Sequence, residues 1–225
     1  MMKKNGFTLA EVLITLAIIG VVATMTLPTL MTNTGEQQYK TGLKKGINIL
    51  TEAAQMHETL EGFNYSSLNT ATDVSNIDQD QDEKGSTINP ASSLGGLLKE
   101  RTKIDTKTTK ALNGGDDVTY STAGKTTTNQ AVIAFIDGTS LVFDSSTVAN
   151  NAGFNAIFDT NGEKGPNQVS NCLGATGKNG GDDSAKDVTE CKTKANRMIK
   201  DQFQINLDGT VVQPVGAAAT WAFAN

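Results

Sequence analysis

Histidine is nearly missing from this chain: His57 is the only one among 225 residues. That excludes histidine-rich metal centres and leaves little material for a Ser-His-Asp arrangement. Cysteine is scarce too. Cys172 and Cys191 are the only pair, and two thiols cannot build a four-cysteine zinc site. Charged residues make up 19% of the chain, below the usual quarter or so. The balance is acidic, with 19 Lys and Arg against 24 Asp and Glu, a formal charge of −5. A chain of this sign is not built to coat nucleic acid. The sequence contains no nucleophile elbow and no phosphate-binding glycine loop. These absences point away from an enzyme, and no residue is assigned a catalytic role. The length allows one ordinary domain or two small ones. Mean hydropathy is −0.28, the value of a soluble protein, but the apolar residues are unevenly spread.

Lys3 and Lys4 come first, then Glu11, and the next charge is Glu36. Between the two glutamates lies VLITLAIIGVVATMTLPTLM, Val12 to Met31. About 20 such residues are enough to cross the hydrocarbon core of a membrane as a helix. Basic residues ahead of the run keep the N-terminus cytoplasmic and put the chain after Met31 outside. A secretory signal peptide has a shorter apolar core and a small-x-small cleavage site, and neither fits here. A plain membrane anchor has no use for Glu11. A carboxylate at the membrane edge costs about 2–3 kcal/mol on insertion and is functional by default.

The string KKNGFTLAEVLITLAIIGVVATMTLP resembles the N-terminus of type IV pilins and type II secretion pseudopilins. The matching residues are Lys3, Lys4, Gly6, Phe7-Thr8-Leu9, Glu11 and the apolar run. The resemblance is tight over the first 30 residues or so and loose beyond them. It implies that a membrane aspartic peptidase, the prepilin peptidase, cuts between Gly6 and Phe7 and then N-methylates Phe7. Glycine suits the position before the cut because its bare backbone can be approached closely. The mature chain then keeps 219 residues, with 17 basic against 24 acidic and a formal charge of −7. The resemblance also gives Glu11 an assembly role. Its carboxylate pairs with the new amino group of Phe7 on a neighbouring subunit and sets the axial register. A shielded charge is tolerable when paired and expensive when alone. From the residues alone, a carboxylate snorkelling at the membrane surface is the other reading.

Beyond Gly35 the pattern turns amphipathic. Tyr39, Leu43, Ile47, Leu50 and Ala54 recur every three or four residues, with Lys40, Lys44, Lys45, Glu52 and Glu58 on other faces. This predicts one helix from about Phe7 to about Leu60, stopped at Gly62. Gly20 and Pro28 are expected to interrupt its apolar half, and Gly42 and Gly46 to weaken its middle. His57 is expected at the surface or its boundary. SSLGGLLKERTKI predicts a short helix using Leu94, Leu97, Leu98 and Ile104. The second half reads as strands: AVIAFID and TSLVFD joined at Asp137-Gly138, FNAIFD, then QFQINL and TVVQP joined at Asp208-Gly209. A helix followed by an antiparallel sheet is an α+β fold, the layout of the pilin fold: a long N-terminal helix, half transmembrane, packed on a C-terminal sheet. The expected divisions are a leader at 1–6, a transmembrane and assembly half at 7–35, an amphipathic half at 36–62, a variable loop at 63–130, and the sheet with a cysteine-bounded loop at 131–225.

Cys172 and Cys191 are either bridged or two free thiols. The expected location outside the cytoplasm favours the bridge, and the pair resembles the disulfide-bounded C-terminal region of many type IV pilins. Two segments carry candidate cation ligands. In Asp78 to Gly85, alternating carboxylates imitate the start of an EF-hand loop, but Glu83 stands where that loop needs glycine and Asn89 where it needs glutamate. A solvated acidic loop is the better reading. In FDTNGEKGPNQ, Asp159, Asn161 and Glu163 offer oxygens, and Asp201 is placed to close the set. The string resembles a pseudopilin loop near which some members bind calcium, although a long insertion separates Asn167 from Asp201. A structural Asn-Gly turn fits the same residues. Calcium is the one cofactor to consider.

These readings make the chain a subunit of a type IV pilus or pseudopilus-like filament. Its partners would be other copies of itself, the prepilin peptidase, an inner-membrane assembly platform and the membrane. It would begin as a single-pass protein of the cytoplasmic membrane, N-terminus inside, and end in a periplasmic or cell-surface filament. The alternatives are a type II secretion pseudopilin that drives protein export, or a minor pilin acting as an adhesin. DNA binding has only Lys103, Lys107 and Lys110 behind it, interrupted by Asp105, so no nucleic-acid partner is expected. If Gly6 is the cleavage residue, Gly6→Phe leaves most of the chain with its leader. Intact mass spectrometry of the membrane fraction checks this, and normal trimming would refute it.

Overall fold

The computed structural model describes residues 8–68, 94–105, 130–144, 153–162, 164–173, 188–193 and 195–225, with only the backbone described for 28–33, 130, 131 and 144. It divides into two units, one ending at Gln38 and the other beginning at Tyr39. Helix α1 runs from Leu9 to Glu61, 53 residues without a break. Gly20 and Pro28 therefore do not interrupt it. A proline removes one N–H from the ladder, and the flanking bonds carry the helix past it. Gly62 ends α1 as expected, with φ 79° and its N–H donating to Glu58 O at 3.0 Å.

The second unit is built on a five-stranded antiparallel sheet in the order β1-β2-β3-β4-β5, so each strand lies beside its neighbour in sequence. The strands are β1 Gln130–Ala134, β2 Ser140–Asp144, β3 Phe154–Asp159, β4 Gln202–Asp208 and β5 Val211–Pro214. Asp-Gly punctuates two of the turns. Gly138 and Gly209 take φ values of 86° and 56°, a region open to glycine without strain. Asp137 Oδ1 accepts from Thr139 N and Oγ1 at 3.1 and 2.7 Å, which holds the first turn. Period-two alternation sends Phe154, Ala156 and Phe158 to one face, with Ile205, Leu207 and Phe203 paired beside them on β4. Leu43, Ile47, Leu50 and Ala54 of α1 join the same buried cluster. Val132 and Val142, with Ile157, form a small separate cluster.

Helix α1 comes unusually close to β3. A Cβ on Gly46 would lie 2.1 Å from Phe158 Cζ, and one on Gly42 would lie 2.9 Å from Thr160 Cβ. The two glycines are thus contact residues, and the packing they allow outweighs their poor helix propensity. After α1 the chain folds back onto the β4–β5 turn. Tyr65 N donates to Gly209 O and Tyr65 Oη to Leu50 O, both at 2.9 Å. Complete burial pushes the Tyr65 phenol far above its ordinary pKa, so it is a permanent donor.

Helix α2, Leu94–Arg101, buries Leu94, Leu97 and Leu98, the residues that predicted it. Ile104 follows in a bridge to Phe135. Residues 69–93 and 106–129 lie outside the described residues, and so does the acidic stretch from Asp78 to Gly85. His57 is not a surface residue: it is fully buried. Its Nδ1 lies 3.8 Å from Glu100 Oε2 on α2, a helix whose reach over α1 the α1 periodicity could not reveal. A last helix, α3, spans Ala217–Ala224, beyond the expected elements. It buries Trp221, whose ring lies 3.9 Å from Lys40 Nζ and 4.2 Å from Arg197 Cζ. Lys40, expected on the polar face of α1, is buried beneath it.

Gly46→Ala separates two opposing effects. Helix propensity alone favours alanine by about 1 kcal/mol. The overlap with the buried Phe158 ring costs about 1–3 kcal/mol or more, so the substitution is expected to lower the thermal midpoint. A raised midpoint would contradict the close approach.

Candidate functional site

Two regions hold the candidate residues. The first is the N-terminal span of α1. Leu9–Leu27 is apolar, with a mean hydropathy of 2.2, and none of it is buried in the structure. Nineteen helical residues measure about 28 Å, close to a hydrocarbon core. The hydroxyls of Thr15, Thr24 and Thr26 donate to the carbonyls of Val12, Val21 and Val22 at 2.9–3.0 Å. Their polarity is absorbed by the helix itself, as a lipid setting requires.

Glu11 sits in the first turn of this helix. Its Oε2 accepts from Thr8 N and from Thr8 Oγ1, both at 2.8 Å. Glu11 N donates back to Thr8 Oγ1 at 3.3 Å. This is a capping box, in which a threonine and the glutamate three residues on satisfy each other and the free helix end. The sequence reading gave Glu11 an assembly role and missed the cap, for which the spacing Thr8-x-x-Glu11 is the signal. Oε1 has no partner among the described residues. Gly6 and Phe7 lie outside the described residues.

The second region is the turn after β3. Asp159 and Asp201 are both fully buried. Asp159 Oδ1 accepts from Asn161 N at 3.1 Å and Gly162 N at 2.9 Å, an Asx turn. Its Oδ2 accepts from Gln202 Nε2 at 2.9 Å. Asp201 takes Asn167 N on Oδ2 at 2.7 Å and Gln168 N on Oδ1 at 3.0 Å. Its carbonyl accepts from Thr160 N at 2.9 Å. The two aspartates thus staple the loop 160–168 from both ends. Burial, followed by the fields of Asp201 and Asp159, pushes the nearby Tyr39 phenol up. Of the four oxygen donors considered for calcium, Asp159 and Asp201 have every carboxylate oxygen engaged by N–H groups. Asn161 Nδ2 donates to Gly165 O at 3.2 Å, and its Oδ1 is buried without a partner. Glu163 lies outside the described residues. Among the described residues no group of three or more His, Cys, Asp or Glu is arranged to hold a metal ion.

Cys172 and Cys191 are joined in a disulfide, both fully buried. Cys191 rides on a 3-10 turn, Val188–Lys192. Arg197 Nη1 donates to its carbonyl at 3.4 Å, and the same guanidinium lies against Trp221. The disulfide is therefore linked through Arg197 and Trp221 to Lys40 on α1.

An apolar helix carrying a capped glutamate, ahead of a helix-backed antiparallel sheet, is an α+β arrangement consistent with the pilin fold. Residues 1–27 match the family described as the prokaryotic N-terminal methylation motif, the prepilin signal of type IV pilins and pseudopilins. Comparison with curated proteins and with solved structures found no match.

Asp201→Ala strands the N–H groups of Asn167 and Gln168. The expected loss is on the order of 2–3 kcal/mol, read from thermal unfolding of the full chain in detergent. An internal staple gives the same loss in EDTA and in millimolar calcium. A loss confined to calcium would make the loop a cation site.

Proposed function

We propose that this chain is a structural subunit of a type IV pilus or pseudopilus-like filament. In this reading the prepilin peptidase cleaves it between Gly6 and Phe7 and N-methylates Phe7. It waits in the cytoplasmic membrane as a single-pass protein with its N-terminus inside. An assembly platform then stacks copies of it through the apolar half of α1. Its work is assembly and surface display, with no turnover of substrate.

The observation that carries the reading is the pairing of a prepilin signal at residues 1–27 with an unburied apolar helix that retains Glu11. In a monomer the capping box engages Oε2 and leaves Oε1 free of described partners. In the proposed filament the amine of a neighbouring Phe7 takes that oxygen. Moving a half-satisfied carboxylate among apolar helices costs several kcal/mol unless a cation meets it.

The finer role divides two ways. The disulfide favours a type IV pilin. The turn Asp159-Thr160-Asn161-Gly162, closed by Asp201, favours a relative of the secretion pseudopilins. Peptide identification on purified surface filaments separates the two.

Glu11→Gln keeps the size of the side chain and can still accept the Thr8 bonds. It is expected to leave membrane insertion intact and to cut filament incorporation tenfold or more, about 1.4 kcal/mol or above. Sheared-filament yield against membrane yield measures it. Unchanged incorporation would refute the role of the charge.

A further inference from the structure

Helix α3 is a poor helix by itself. It has eight residues, Ala217–Ala224, and its N-cap, Gly216, makes no side-chain capping bond. A helix this short does not hold in water without packing. Ala217, Ala218, Ala219, Trp221 and Ala222 are its buried residues. Among the named elements it packs chiefly on the 3-10 turn Val188–Lys192, with smaller contacts to β4 and β5. A 3-10 turn is short and poorly hydrogen-bonded. Val188 is only partly buried against the core, and the bond from Arg197 to the Cys191 carbonyl is long, at 3.4 Å. The covalent tie of the turn is the bond from Cys191 to Cys172. Cys172 stands on firmer ground. Its neighbour Asn171 exchanges two backbone hydrogen bonds with Met198, at 2.9 and 2.8 Å. Ser170 N donates to Gln202 O at 2.8 Å, at the start of β4, and Ser170 Oγ donates to Lys200 O at 2.9 Å. The bridge therefore fastens the turn, and the helix on it, to a strip already pinned to the sheet.

We propose that the Cys172–Cys191 bridge is a redox-sensitive latch for α3. Closed, it seats the helix. Open, it releases the 3-10 turn and α3 together while the sheet stays folded. A dithiol opens it by exchange: the S–S bond takes up two electrons and two protons to give two thiols, and the dithiol closes to its own disulfide. Opening the loop between the two cysteines returns chain entropy to the released state. The release uncovers more than α3. Trp221 lies against Lys40 Nζ and Arg197 Cζ, and Lys40 is only 6% exposed. Undocking α3 brings both the indole and that ammonium into water. On the export reading under Proposed function, the bridge closes only outside the cytoplasm, and α3 seats after export. The measurement on the purified chain does not depend on that reading.

Amide hydrogen exchange on the full chain in detergent tests the latch, with the emission of Trp221, the one tryptophan, read alongside. The samples are the oxidised chain, Cys191→Ser, Cys191→Ala, and the wild-type chain in dithiothreitol with its thiols titrated to confirm that the bridge is open. In the docked helix Thr220 N and Asn225 N close on Gly216 O and Trp221 O. In both variants and in the reduced chain, the amides of α3 are expected to exchange about tenfold faster or more, and those of β3 and β4 to change by less than about twofold. Trp221 emission is expected to shift to the red, and reoxidation of the wild-type chain to reverse both changes. Unchanged exchange of α3 in the two variants would overturn the proposal. Equal acceleration across β3 and β4 would overturn it too, because the bridge would then support the whole unit and not α3.

Discussion

The second unit rests on how closely α1 approaches β3. At Gly42 and Gly46 there is no side chain between the helix backbone and the sheet. Phe158 fills the space that a Cβ on Gly46 would need. The closeness lets Leu43, Ile47, Leu50 and Ala54 reach the same cluster as Phe203, Ile205 and Leu207. Two glycines that weaken an isolated helix are what allow this one to seat. The gain is packing density, and in a protein interior even a single methyl in the wrong place is felt.

A second constraint acts at the chain's other functional end. Leu9–Leu27 is long and apolar enough to cross a membrane, yet it carries Glu11 in its first turn. The capping box with Thr8 satisfies one carboxylate oxygen and the free helix end together. A monomer can therefore hold the charge without a partner protein. Among the described residues the other oxygen meets no donor. Capping and the proposed assembly role are compatible for one carboxylate because it has two oxygens.

The C-terminal third ties itself together with buried polar and covalent links where apolar material is short. Asp159 and Asp201 gather the amides of the intervening loop. The disulfide anchors the 3-10 turn at Cys191. Trp221 packs between Lys40 and Arg197, joining α3, α1 and the cysteine-bounded segment. These contacts bring together residues as far apart in sequence as Lys40 and Trp221.

The strands, the Asp-Gly turns, the stop at Gly62 and the short helix at Leu94 were legible because each is written in local periodicity or in a residue that a turn requires. So was the N-terminal signal, since membrane length, a basic leader and Glu11 are all one-dimensional features. The cap formed by Thr8 and Glu11 went unread, although its spacing of three residues is the signal for it. Other features needed the fold. His57 and Lys40 sit on faces that look polar in the α1 sequence and are covered by α2 and α3. The four-residue spacing of Gly42 and Gly46 reads as a helix weakness until β3 is set against it. Asp159 and Asp201 left a cation loop and a structural turn both open in the sequence, and only the fold shows the five N–H groups aimed at their carboxylates. Local sequence determined which segments are helix, strand or membrane span, because those choices depend on residues a few positions apart. Tertiary structure alone decided which polar groups are buried and what satisfies them, because those partners come from the far ends of the chain.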